Sequence, residues 1–247
     1  MGAVKLDTLT WPEVNAGIEG GRDIVVVPLG AFEQHGPHLP LETDVLLGNH
    51  LGRVVAGRLD AFVAPTVRIG CSHHHLGFPG TLSLSPDTFG RVVADIVSSL
   101  ARARFRRAIL LPSHGGNYAP LAEAMKKIGS SVDGLEITAL TDPAPLFGAA
   151  EVGQRDFGVP LAEGGIHSGE WETSMLLAIH PELVHMDRAR AGWVGDPKEA
   201  FGRIFKEGTD SLSKIGVVGD PRRATAEHGE RYWEAVIKAT LAAIAAP

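Results

Sequence analysis

The chain has one cysteine, Cys71, among 247 residues, which excludes an intrachain disulfide and any cysteine-rich zinc site. A sequence without disulfides fits a reducing compartment, and the expectation is a cytoplasmic protein. Long hydrophobic runs are missing too, since no stretch approaches the ~20 apolar residues of a membrane span. The opening MGAVKLDTLTWPEV lacks the charged start and apolar centre of a secretory signal, and Leu6 stands where a myristoylation pattern needs Ser or Thr. Positive charge is in deficit, 23 Lys and Arg against 29 Asp and Glu, a net of −6. The one dense basic patch, Arg102, Arg104, Arg106 and Arg107, directly precedes an apolar run and reads as a solvated helix end, not as a nucleic-acid footprint. No repeat, low-complexity tract or linker divides the chain, so a single domain over 1–247 is expected.

What is present is an alternation of strand-length apolar runs with helical stretches. Residues 24–29, IVVVPL, are β-branched without alternation, the mark of a strand buried on both faces. Residues 44–59 carry an apolar helical face in Val45, Leu46, Leu51, Val54, Val55 and Leu59, and 62–65 form a short second strand. Ser85-Pro86-Asp87 supplies an N-cap and a proline at the first helical position, opening a helix to about residue 105. A third strand at 108–112, an amphipathic helix at 117–128 and a fourth strand at 135–140 follow. The span 141–165 reads as a loop long enough to be functional on length alone. Helical spacing resumes at 171–179 and closes the chain at 226–246. The pattern predicts an α/β fold with a mainly parallel sheet, right-handed crossovers and helices on both faces.

In such a sheet ligands bind beyond the carboxyl ends of the strands. The loops there are GAFEQHGPHLPLETD, RIGCSHHHLGFPGT and SHGGN, and six of the eleven histidines fall in them: His35, His38, His73, His74, His75 and His114. Glu33 and His35, two apart in an extended segment, point the same way, while Asp44 opens a helix and His114 ends a strand. Carboxylate and imidazole without thiolate suit Zn, Mn or Fe, and a carboxylate able to bridge suggests two ions. Any one of these residues alone reads as a cap or a packed turn residue; the convergence on one rim does not. Gly115 and Gly116 let the backbone pass close to a ligand, and Asn117 is placed to cap the next helix. A helix beginning at His167 would set Glu170 one turn away, facing the rim, with Glu172 pointing elsewhere as a structural partner. His75 would orient substrate, hold an oxyanion or bond the backbone; His73 and His74 are expected to do only the last.

PLGAFEQHGPHLPLETD, FPGTLSL, HGGN, HSGEWETSMLLAIHPELVHMDR and GVVGDPRRATAEHGE, taken together, resemble the creatininase (creatinine amidohydrolase) family over nearly the whole chain. The resemblance implies a three-layer creatininase-like fold, a homohexamer, and two divalent ions, zinc first with manganese or iron as alternatives. It puts Glu33 and His114 on one metal, His35 on the other, and Asp44 between them, with His167 as acid/base. Creatininase proper has a glutamate from an HYEN segment where this chain has Gly116, and Glu170 is expected to replace it. It also carries a tryptophan where this chain has Glu163, which implies a substrate other than creatinine.

The HGGN sequence is similar to a branch containing formamide deformylases of deazaflavin and riboflavin biosynthesis and the mycofactocin-pathway peptidase. The resulting expectation is a metal-dependent amidohydrolase opening a cyclic amide or another small C–N bond, with His75, Gly115, Gly116 and Asn117 near the substrate. Its partner is a small-molecule amide, with neither nucleic acid nor membrane. The nearest rivals are a metallopeptidase acting on a short peptide and creatininase proper. A nucleotide-binding dehydrogenase would need GxGxxG where the first turn reads GAFEQHG, and a non-catalytic scaffold would leave the intact ligand set and His167 without purpose.

Overall fold

The protein is described here by a computed structural model covering residues 3–246. Its strands are β1 (Val4–Lys5), β2 (Ile24–Leu29), β3 (Phe62–Val63), β4 (Arg107–Pro112), β5 (Ser131–Val132) and β6 (Leu135–Ala139). They form one sheet in the order β1-β3-β2-β4-β6-β5, parallel throughout except for the antiparallel β5–β6 edge pair. The helices are α1 (Trp11–Glu19), α2 (Thr43–Arg58), α3 (Pro86–Arg102), α4 (Tyr118–Ile128), α5 (Gly148–Phe157), α6 (Leu161–Gly164), α7 (Glu170–Ile179), α8 (Pro197–Glu207), α9 (Thr209–Leu212) and α10 (Ala226–Ala245). No helix among the described residues is long and apolar enough to cross a membrane.

The two central strands pair over their whole length, Ile24 opposite Arg107 through Leu29 opposite Pro112. Because successive side chains point to opposite faces, Val26, Ile109 and Leu111 pack under α2, α5, α7 and α10, while Val25, Val27, Ala108 and Leu110 pack under α3 and α4. The sheet is thus covered on both faces, which is why β2 reads as an unbroken apolar run. Ser85 caps α3 by accepting from the Thr88 amide at 3.2 Å, and Phe89, Val93, Val97 and Leu100 recur at helical spacing on its buried face.

The chain passes from β2 to β3 on one side and then to β4 on the other, so a topological switch lies beside the carboxyl end of β2. Residues 33–44, 73–75 and 114–117 all emerge there.

Three expectations need correction. The span 141–165 is not a loop, for it holds a 3-10 turn, α5 and α6, and its Ala149 and Val152 enter the core. Asn117 does not cap α4; its side chain is committed elsewhere, as described below. The helix after His167 begins only at Glu170, behind a bend at Ser168.

Leu110 is fully buried between β2, β6 and the α3–α4 layer. Leu110→Ala should lower unfolding free energy by about 2–5 kcal/mol. Urea denaturation followed by circular dichroism measures this, and a loss below about 1 kcal/mol would contradict the core assignment.

Candidate metal centre

Glu33, His35, Asp44 and His114 converge beyond β2 and β4, all at 5% exposure or less. Glu33 is held by its own backbone, its amide donating to the Leu41 carbonyl at 2.9 Å. His35 sits with Nδ1 3.1 Å from the Glu33 carbonyl, so that Nδ1–H donates and Nε2 points inward. Asp44 lies in the first turn of α2, and Ser113 at the end of β4 donates to the Asp44 carbonyl at 2.7 Å, locking that turn to the sheet.

Ring nitrogens surround the Glu33 carboxylate. His75 Nε2 is 3.2 Å from Oε1, His167 Nδ1 is 3.7 Å from Oε1, and His114 Nε2 is 3.3 Å from Oε2. Asp44 faces two histidines at once, Oδ1 lying 3.6 Å from His35 Nε2 and Oδ2 3.2 Å from His114 Nδ1. Yet Glu33 Oε1 and Oε2, His35 Nε2 and Asp44 Oδ2 have no aligned hydrogen-bond partner among the described residues. Buried carboxylates and imidazoles turned towards shared points without bonding one another are what a ligand shell for divalent cations requires. Three overlapping groups have donor atoms within 4.8 Å of each other: Glu33, His74 and His114; Glu33, His35 and His167; and His35, Asp44 and Glu172. The residues present therefore fit divalent metal.

Glu172, not Glu170, is the α7 carboxylate that lies beside these residues. Ser168 adopts a left-handed conformation (φ 54°), turning the chain before α7, so His167 and Glu170 are not on one helical turn. Glu172 then sends Oε1 to within 3.6 Å of His35 Nε2, while its Oε2 accepts from the Ser168 amide at 2.7 Å. Glu170, fully buried, faces the opposite way. Its Oε1 accepts from Ser174 Oγ at 2.8 Å and lies 2.7 Å from His228 Nδ1, and its Oε2 accepts from the Tyr232 hydroxyl at 2.8 Å. Both oxygens are committed to α7 and α10.

The neighbours of the shell are tied together by Gln34. Its side-chain amide donates to His75 Nδ1 (2.8 Å) and to the Gly216 carbonyl (3.1 Å), and its Oε1 accepts from the Gly36 amide (2.9 Å). Gly216 is glycine because a Cβ there would lie 1.8 Å from Gln34 Oε1. With both amide hydrogens of Gln34 used, the short contact from His167 Nε2 to the Gln34 backbone carbonyl (2.7 Å) is a donation by His167, which leaves the lone pair on Nδ1, the nitrogen facing Glu33. His167 is itself pinned by an antiparallel bridge to Val218, in the GVVGD segment.

Asn117 accepts from the Cys71 amide at 2.9 Å and donates to the carbonyls of Leu29 (3.1 Å) and Gly30 (3.0 Å), stitching three loops together. Gly115 borders open space, whereas Gly116 is wedged against His114 and Cys71. His38, fully buried, contacts Thr173 Oγ1 at 2.9 Å and leans on α7. Glu163 pairs with Arg223 at 3.3 Å. Sequence reasoning passed over Gln34, gave His74 only a backbone bond, and read Glu172 as a structural partner pointing away from the rim.

Charge is unevenly distributed. Burial pushes the Glu33 carboxyl up to about 7, against the pull of His114. Burial opposes the charge on His35 and His114, but Glu172 and Asp44 hold His35 well above its ordinary value, and Glu33 and Asp44 raise His114 to about 9. Asp44 is held low despite its burial by these same imidazoles. Burial and the charge on His35 drive His167 down to about 3, and burial with the surrounding histidines takes His75 well below its usual value.

The family model described as Creatininase (creatinine amidohydrolase) matches residues 7–244. The mycofactocin precursor peptide peptidase of Mycobacterium ulcerans (strain Agy99) is 31% identical over 96% of this chain and 86% of its own length. The creatinine amidohydrolase of Pseudomonas putida is 29% identical over 98% and 96%. Among solved structures, one titled "Creatininase Mn" superposes with a TM-score of 0.82 at 28% identity, and a mutant creatininase of Zn–Zn type with 0.77 at 28%; each covers 98% of this chain and 97% of its own.

Two measurements follow from the geometry. Glu170→Gln should destabilise the fold by about 1–3 kcal/mol through its buried hydrogen bonds and leave metal stoichiometry intact, whereas Glu172→Gln should lower it; elemental analysis of equilibrated protein decides, and the reverse pattern would return Glu170 to the shell. At pH 7 the metal-free centre carries protons on His35 and His114, and on Glu33 in about half of the molecules, all of which metal must displace, so binding should release between about two and three protons per chain. Apparent affinity should therefore rise with pH from below 7, where Glu33 is protonated, through the His114 value of about 9. Calorimetry in buffers of different ionisation enthalpy reads the release, and buffer-independent heats would refute it.

From the matched family model and the structural likeness, this chain belongs to the creatininase family and is a metal-dependent hydrolase of carbon–nitrogen bonds.

Proposed function

We propose that the protein hydrolyses the C–N bond of a small cyclic amide or formamide at a centre of two divalent ions, zinc first with manganese or iron as alternatives. Glu33, Asp44 and His114 would hold one ion and His35, Asp44 and Glu172 the other. The observation that carries this reading is Glu33, wholly buried, with no hydrogen-bond partner for either oxygen among the described residues and three imidazoles within 3.7 Å. The Asp44 carboxylate, one oxygen towards His35 and the other towards His114, supports its place as the bridge. Ions bound there lower the pKa of a water molecule towards neutrality and polarise the amide carbonyl.

His167 brings a neutral ring and an inward lone pair at Nδ1, so it enters the reaction as a proton acceptor. An amide nitrogen leaves poorly as an anion, and the proton taken up by Nδ1 is returned to that nitrogen as the C–N bond breaks. The Gln34 carbonyl fixes the ring throughout by accepting from Nε2. His75, its Nδ1 occupied by Gln34 and 3.2 Å from Thr209 Oγ1, turns Nε2 towards Glu33 and can donate to a substrate oxygen. Gly115, beside open space, leaves backbone accessible to substrate.

The same constellation would cleave the terminus of a short peptide, and the 31% identity to a protein named as a precursor peptide peptidase favours this as the second reading. Assembly as a homohexamer and a cytoplasmic location belong to the proposal, supported by the family resemblance and the single buried thiol Cys71.

Metal-reconstituted protein should be assayed against creatinine, cyclic ureas, formamidopyrimidines and short peptides. Turnover of a ring or formamide supports the first reading, turnover of peptides alone the second, and full activity after metal stripping sinks both. His167→Asn should lower kcat by about 10²- to 10⁴-fold with metal content unchanged; loss of metal instead would make His167 a ligand.

A further inference from the structure

The short 3-10 turn His73–His75 presents its middle residue to the centre. His74 is 6% exposed, and its Nδ1 has no hydrogen-bond partner among the described residues. One of its ring nitrogens lies within 4.8 Å of both a Glu33 oxygen and a His114 nitrogen. Its ring is parallel to that of His114 (6° between planes, centroids 5.7 Å apart) and is covered from outside by Phe205 of α8 at 4.5 Å. A buried imidazole with an unmet nitrogen, packed against Phe205 and set beside a carboxylate and a second imidazole, has the features of a metal ligand and not of a core histidine, which would be hydrogen-bonded.

Gly116 explains why this position is open. A Cβ on Gly116 would sit 2.4 Å from His114 Nε2, 2.9 Å from His74 Cε1 and 2.3 Å from the Cys71 carbonyl. Any side chain at 116 and the present placement of the two rings exclude one another. We propose that His74 is a ligand of the ion held by Glu33 and His114, occupying space that only a glycine at 116 leaves free. Glu172 serves the other ion, so the two sides of the centre are completed by different residue types, an imidazole on one and a carboxylate on the other. This rests on the two-metal reading above.

The test uses intact protein titrated with zinc against a competing chelator, for wild type, His74→Ala, His74→Phe and Glu33→Gln, with circular dichroism confirming the fold. Loss of an outer-sphere partner alone costs 10- to 100-fold in metal affinity, so both His74 variants should weaken one binding step by at least about tenfold and leave the other unchanged. X-ray absorption of the zinc-loaded protein should show fewer imidazoles per ion in both. Wild-type affinity in His74→Ala, or recovery in His74→Phe, which keeps an aromatic ring against Phe205 but has no nitrogen, would overturn the proposal and reduce His74 to packing. If wild type takes up a single ion, the two-metal reading itself fails; if Glu33→Gln binds two ions as wild type does, Glu33 is no ligand and the His74 proposal falls with it. Two ions lost together from Glu33→Gln, with both His74 variants unaffected, would leave that reading standing without His74.

Discussion

A carboxylate buried without a hydrogen bond is among the most costly arrangements a folded chain can contain, and Glu33 is one. Its cost is relieved in the metal-free protein by a carboxyl lifted to about 7, which takes up a proton near neutrality, and by the positive charge of His35 and His114, a role that bound cations would take over. Much of the local architecture serves this exchange. Backbone pairing with Leu41 holds Glu33 in place, Gln34 locks His75 beside it, and the Asn117 amide binds together the ends of three loops so that their side chains meet. The scaffold beneath is a rigid parallel sheet, with the site on the loops at its switch point.

The comparison of α7 with its sequence shows how one bend decides chemistry. Helical spacing from His167 would put Glu170 on the rim, but the left-handed Ser168 delays the helix and rotates it, so that Glu172 faces His35 and Glu170 faces α10. A positive φ at serine has no signature in composition or periodicity, because it is imposed by the surrounding contacts, here the Glu172 carboxylate on the Ser168 amide. His74 was read as bonding only backbone for a related reason. Three consecutive histidines offer no way to tell which ring points inward until the turn that carries them is known.

Other parts were legible because the physics is local. β2 and β4 announce themselves as unbroken apolar runs, and Ser85 with Pro86 marks the start of α3 to the residue. A second local signal was present and went unread: Thr10 and Glu13 form a capping box with Pro12 beside it, enough to place α1. The helical character of 141–165 was obscured by its glycines and prolines, which here terminate short helices and do not prevent them. Glu33, His35, Asp44 and His114 could be grouped from sequence because strand ends in a parallel sheet share one rim; Gln34 could not, since its importance lies in contacts with residues 75, 167 and 216.

The two acidic residues of α7 are also coupled through the helix that carries them. Glu172 reaches the centre only when α7 is correctly rotated, and that rotation is held by Glu170 gripping His228 and Tyr232. A substitution on α10 that never approaches the centre can therefore disturb it, because loosening Glu170 from His228 or Tyr232 frees α7 to turn and carries Glu172 away from His35.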